Sequence, residues 1–184
     1  QNPTINANLT TNIQSNGLLK AGSTGNNNFS FNGSNNTLNN SGTMQVNVLQ
    51  FQNSGATNIV DNYGTLTIGS NINIEGNTTF RNWQTINIGQ SYNNNATSKY
   101  INCGTINSSS GFNLGGGRVI NTGNFNVVSG PIDLLGGTLE NYGILTSTGT
   151  INGTGASIFY NEGLAKITSF QPNGASIKGP LLNN

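Results

Sequence analysis

Apolar and polar residues alternate with a period of two in short runs through most of the chain, which predicts strands. The runs return in the same order about every twenty residues, and an Asn-x-Gly tripeptide marks their phase. It stands at Asn40-Ser41-Gly42, Asn62-Tyr63-Gly64, Asn102-Cys103-Gly104, Asn121-Thr122-Gly123, Asn141-Tyr142-Gly143 and Asn161-Glu162-Gly163. Asn82-Trp83-Gln84 keeps the phase with Gln in place of Gly, so the steps from Asn40 are 22, 20, 20, 19, 20 and 20 residues. Asn53-Ser54-Gly55 falls outside that phase, so the spacing carries the signal and the tripeptide alone does not.

Aligned on the motif, four columns are apolar and are predicted to point inward. Two residues before the Asn stand Val60, Phe80, Tyr100, Val119, Leu139 and Phe159, and four after it Leu66, Ile86, Ile106, Phe125, Leu145 and Ala165. Six after it come Ile68, Ile88, Ser108, Val127, Ser147 and Ile167, and about ten after it Ile72, Tyr92, Phe112, Ile132 and Ile151. Asn62, Asn82, Asn102, Asn121, Asn141 and Asn161 share this inward parity, so stacked amides are expected to hydrogen-bond from unit to unit as a ladder. Gly at the third motif position is expected to supply a positive φ at the corner, with Gln84 sitting less comfortably or in a different turn.

A unit of this size, with a few short strands, cannot bury its apolar side alone and must stack on copies of itself. The predicted fold is therefore all-β, a single-stranded parallel β-helix (β-solenoid) with coils of about 20 residues. At about 4.8 Å per coil the stack is a rod on the order of 35 Å long. A β-sandwich with Asn/Gly hairpins also has short strands and regular turns, but it does not require the same residue at the same corner every twenty positions. Residues 1–39 read as an irregular N-terminal cap or first coils and 40–184 as the repeats. In the former, Ile5, Leu9 and Ile13 suggest a capping strand, and Asn26-Asn27-Asn28 and Asn35-Asn36 suggest loops. Gly179-Pro180-Leu181-Leu182 is expected to stop the strand pattern, with further chain or another subunit covering that end.

Composition narrows the chemistry. The 184 residues include 37 Asn and 26 Gly, only 6% are charged, and the net charge is +1. Without His there is no imidazole base or His-containing metal site, and the single Cys103 is expected to be an unpaired thiol filling a corner. Six dispersed Lys/Arg give no basic stripe, so nucleic acid is not an expected partner. No apolar run reaches 18 residues, so membrane insertion is not expected either. Gln1-Asn2-Pro3 reads as a candidate mature N-terminus. Nine Asn-x-Ser/Thr sequons, at Asn8, Asn28, Asn32, Asn35, Asn39, Asn77, Asn95, Asn107 and Asn152, bear on glycosylation only where the machinery exists.

Two outward columns follow the motif: Thr65, Thr85, Thr105, Asn124, Ile144, Leu164, and Thr67, Asn87, Asn107, Asn126, Thr146, Lys166. They form a neutral face of hydroxyls and amides that suits solvent or a regular partner. Thr65 and Thr67 make its only Thr-x-Thr pair, which argues against ice. Tyr63 and Trp83 are expected to be neighbours on adjacent coils, where exposed rings can stack on sugars. The candidate glycan-binding set is Tyr63, Trp83, Thr65, Thr85, Thr105, Asn87 and Asn107. Glycoside hydrolysis generally needs two carboxylates about 5–10 Å apart. Asp61 is expected to pair with Arg81, and Asp133 with Glu140 is the nearest approach to such a dyad.

The units exemplified by Asn62-Tyr63-Gly64-Thr65-Leu66-Thr67-Ile68 and Asn141-Tyr142-Gly143-Ile144-Leu145 resemble the coils of secreted bacterial β-helix adhesins of the filamentous haemagglutinin and autotransporter type, over about residues 40 to 170. The resemblance implies a surface-exposed or released rod mediating attachment, biofilm or fibre formation. Such repeats have no fixed site motif, so no binding residue carries over. The expectation is a non-enzymatic extracellular or cell-surface β-helix without catalytic residues, metal or cofactor. It would associate end to end or with neighbouring domains, and with a polysaccharide or cell surface. The alternatives are a glycan-binding module and a polysaccharide lyase or hydrolase.

Overall fold

The structure, a computed structural model, describes residues 4–5, 9–21, 28–33, 35–52, 55, 57–94, 97–180 and 182–183. Each coil has three runs of extended chain, and each run pairs in parallel with its equivalent in the next coil. On the entry face the chain runs into the Asn corner through nine parallel strands: Thr10–Ile13, Thr37–Asn40, Thr57–Asn62, Asn77–Asn82, Lys99–Asn102, Arg118–Asn121, Thr138–Asn141, Ile158–Asn161 and Ser176–Lys178. The exit face leaves the corner through strands such as Thr65–Ile68, Thr85–Ile88 and Thr105–Ser108, and the back face returns through strands such as Ile72–Ile74, Tyr92–Asn94 and Phe112–Leu114. Exit and back strands merge into single long strands at Ile144–Gly153 and Leu164–Gln171, where the register shifts between Ser147 and Thr150. This is the parallel β-solenoid that the 20-residue grid predicts.

The four predicted inward columns are buried throughout and belong to one continuous core. A fifth lies two residues further along the back face, with Phe31, Phe51, Ile74, Leu114 and Leu134 all at 1% exposure or less. Identical side chains stack upon one another, as Phe31 does on Phe51 with centroids 4.9 Å apart and planes within 1°. The register places Ile13 directly beneath Asn40, so the first full step on the entry face spans 27 residues.

Three expectations need correction. None of the motif glycines has a positive φ. Gly is required there because successive corners touch: a Cβ on Gly104 would lie 2.0 Å from the Gln84 carbonyl oxygen, and one on Gly143 would lie 2.2 Å from that of Gly123. At Gln84, which does carry a Cβ, the corner opens. Thr85 N donates to Gly64 O at 3.2 Å, whereas the equivalent bonds from Thr43, Thr65, Thr105, Asn124, Ile144 and Leu164 measure 2.7–2.9 Å. Asn28 begins a strand instead of a loop, whereas Asn35 and Asn36 do lie between strands, Asn35 with φ 59° and Asn36 buried and bonded. The strand pattern does not stop at Gly179-Pro180, because Leu182–Asn183 pairs with Lys166 and Ile167 on the exit face. Asn8, Asn26, Asn27, Asn53, Ser54, Asn95 and Leu181 lie outside the described residues, as do the Gln1-Asn2-Pro3 start and the side chain of Ile5. No helix among the described residues is long and apolar enough to cross a membrane.

Candidate functional site

The inner corner is an amide ladder. Asn40 Nδ2 donates to Asn62 Oδ1, and the same bond repeats to Asn82, Asn102, Asn121, Asn141 and Asn161, six bonds of 2.7–2.8 Å. From Asn62 to Asn161 each amide nitrogen also reaches carbonyl oxygens of its own corner and of the next coil, as Asn62 does to Gly64 O at 3.0 Å and Thr85 O at 3.1 Å. All seven side chains are 0–1% exposed, so their donors and acceptors can find partners only within the protein. The ladder has a direction, with nitrogens aimed at the C-terminal coils. At that end Asn161 Nδ2 donates to Pro180 O at 2.5 Å. At the other end Asn40 Oδ1 is buried without a partner, because Ile13 beneath it has no donor.

A second buried polar corner, where the back face turns into the entry face, escaped the motif search. Asn36 donates from both its backbone and its side chain to Asn58 Oδ1, and Asn58 Nδ2 donates to Thr78 Oγ1 at 3.5 Å. Ser157 fills the same place higher up, donating to Leu134 O and Thr154 O at 2.6 Å. Its residue types vary, so no tripeptide flags it; the usable signal was parity with Leu38, Val60 and Phe80, two residues on. In the core, Tyr92 and Tyr100 meet edge to face at 5.1 Å, and neither hydroxyl has a hydrogen-bond partner among the described residues. Burial pushes both phenols well above their usual pKa.

The exit face has the predicted neutral array. Thr43, Thr65, Thr85 and Thr105 stack in register. Beside them Asn107 donates to Asn87 Oδ1 at 2.9 Å and Asn126 donates to Asn107 Oδ1 at 3.0 Å. The back face repeats the arrangement, with Asn93 donating to Asn73 and Asn113 to Asn93, both at 2.9 Å. Asp133 continues that column and accepts from Asn152 at 2.7 Å.

The entry face is different in kind. Tyr63 and Trp83 stand exposed on the corner it shares with the exit face, with parallel, stacked rings whose centroids are 6.1 Å apart. Next to them Arg81 grips Asp61 through both carboxylate oxygens, Nε to Oδ1 at 2.5 Å and Nη2 to Oδ2 at 2.6 Å. Further along the rod Arg118 grips Glu140 in the same way at 2.5 and 2.7 Å, a pair the sequence reading did not find. The Arg118 hydrogen bonds hold the Glu140 carboxyl below its ordinary pKa, with a smaller contribution from the Tyr142 hydroxyl, which donates to Glu140 Oε2 at 3.2 Å. Tyr142 and Tyr160 lie 5.7 Å apart, tilted by 56°, and Tyr160 donates to Glu162. Cys103 is a free, exposed thiol on the corner between Trp83 and Thr122.

The structure therefore brings Tyr63 and Trp83 together, places Thr65, Thr85 and Thr105 in one stack, and bonds Asn87 to Asn107. It does not bring Asp133 to Glu140. These acids stand on the back and entry faces, one bonded to Asn152 and the other held by Arg118. Among the described residues no three His, Cys, Asp or Glu side chains group as metal ligands. Fold and corner define the class of the chain, a β-solenoid with an inner Asn ladder. No protein-family model, curated protein or solved structure matches it.

Proposed function

We propose that the chain is a non-enzymatic extracellular or cell-surface β-helix that serves as a structural or adhesive rod, a segment of a fibre or matrix. One observation carries this reading: the coil-to-coil amide bond repeats from Asn40 to Asn161 without a break, so the buried polar chemistry is given to stacking. A neutral surface suits the same role, since a column of like charges one coil apart would repel at about 4.8 Å spacing. Electron microscopy of the purified protein over a concentration series tests it. Rods that join end to end support the reading, and short particles of constant length at every concentration contradict it.

A second reading, a glycan-binding module, is favoured by the parallel, exposed Tyr63 and Trp83 rings with Thr65, Thr85, Thr105, Asn87 and Asn107 on the adjoining face. A glycan array with wild type and Trp83→Ala separates the two: specific binding lost in the variant favours the module, and no signal from either protein favours the rod.

A further inference from the structure

The geometry points to a second saccharide station on the entry face, built around Glu140, which acts with the Tyr63–Trp83 corner as a two-station track for one neutral polysaccharide chain lying along the rod. The inference rests on the glycan reading of that corner for its ligand class, and its own evidence comes from different residues. Arg118, Glu140, Tyr142, Ile158, Tyr160 and Lys178 line an open groove of about 310 Å³. The tilted tyrosines offer ring faces, and the nearly buried Glu140 fixes the open Arg118 guanidinium in place as a donor for a sugar hydroxyl. The ion pair is internally neutral and calls for no charged ligand, while Lys178 adds one positive charge to the lining, so an anionic polysaccharide is tested beside the neutral ones.

The groove repeats the composition of the first station. Each has one Arg held by a carboxylate through Nε and Nη2, leaving Nη1 without a partner among the described residues, and each sets two aromatic rings on adjacent coils. The carboxylates are nearly buried while the guanidiniums stay open, at 10% and 38% side-chain exposure in the first pair and 12% and 50% in the second. Tyr63, Trp83, Tyr142 and Tyr160 are all the Tyr and Trp residues outside the core, and all lie on the entry face or its corner. Tyr63 and Tyr142 are four coils apart, which sets the stations about 19 Å from each other. Half-buried Ile101 and Ile120 continue the surface between Arg81 and Glu140 in one column. A chain long enough to reach both stations gains from the second contact as an intramolecular event.

The test is affinity electrophoresis of the whole chain in gels containing a soluble β-1,3-glucan, a xyloglucan, a galactomannan, an α-mannan or polygalacturonate, followed by titration of a size series of oligosaccharides from whichever retards it. Circular dichroism confirms that Tyr142→Ala, Tyr160→Ala and Trp83→Ala remain folded. The expected result is retardation by at least one neutral polysaccharide, weakened about tenfold or more by a change at either station. Oligosaccharides too short to span both are expected to bind weakly and to respond only to the station they occupy. Binding that is lost in Trp83→Ala but unchanged in Tyr142→Ala and Tyr160→Ala overturns the second station and leaves the corner reading standing. No retardation by any gel, or retardation by polygalacturonate alone, overturns both.

Discussion

Asn102 and Asn107 sit five residues apart in one coil, and each donates a side-chain amide bond to an Asn of an adjacent coil, at 2.8 and 2.9 Å. Their bonds are alike in length and chemistry but run in opposite directions along the rod, and only their surroundings separate them. Asn102 is 0% exposed, whereas Asn107 is half-buried on the exit face. When an outer bond breaks, water takes the vacated donor and acceptor. When an inner one breaks, no water reaches it: the nitrogen keeps only its backbone acceptors and the desolvated amide oxygen is left unpaired. The inner ladder therefore fixes the stacking register, while the outer ladders cover a surface that is stable without them.

The largest expected effect comes from removing one rung on each side. Asn102→Ala leaves Asn121 Oδ1 buried without its donor, takes the Asn102 acceptor from Asn82 Nδ2, which keeps Gln84 O and Thr105 O, and is expected to cost about 4 kcal/mol in urea unfolding, against less than about 1 kcal/mol for Asn107→Ala. Next comes the backbone contact that brings the rungs together. Gly104→Ala drives a Cβ into the Gln84 carbonyl and is expected to cost about 3 kcal/mol, with the loss of the Asn82–Asn102 coupling visible in the corresponding double-variant cycle.

Acid separates the two regions further, because amide ladders do not titrate. The Glu140 carboxyl is lowered by Arg118, so its folded pKa lies below the unfolded value of about 4.3. Its stabilisation is complete above the unfolded pKa and is lost as pH falls through the folded one. Unfolding midpoints are expected to fall as pH drops below about 4, and to fall less steeply in Glu140→Gln. The smallest effect is expected in the core. Tyr100→Phe removes a buried hydroxyl that has no partner, and should leave stability unchanged or raise it by about 1 kcal/mol or less.

The fold was legible because stacking forces like residues onto like positions, so a two-residue alternation on a twenty-residue grid identified both the core columns and the Asn ladder. The reason for the glycines was not legible. A residue that permits a left-handed turn and one that permits backbone contact look the same in sequence, and only the 2.0 Å approach at Gly104 tells them apart. The Asn36–Asn58–Thr78 corner was hidden by its mixed residue types, although its parity was available. The Arg118–Glu140 pair was missed because it runs diagonally between columns, whereas Arg81 and Asp61 lie in one column and were found. Of the candidate surface, Tyr63 and Trp83 could be placed as neighbours, but the Tyr142–Tyr160 groove depends on side-chain directions across four coils that no spacing records.

Exchange of side-chain amide protons with deuterium, followed by NMR on the native protein near neutral pH, tests the ladder most directly. The Asn62, Asn82, Asn102, Asn121 and Asn141 side-chain amides are expected to exchange at least about 100-fold more slowly than those of Asn87, Asn107 and Asn126, at rates like those of the core backbone. Equal exchange at Asn102 and Asn107 would contradict the account, because it would mean that the inner amides meet water as readily as the outer ones.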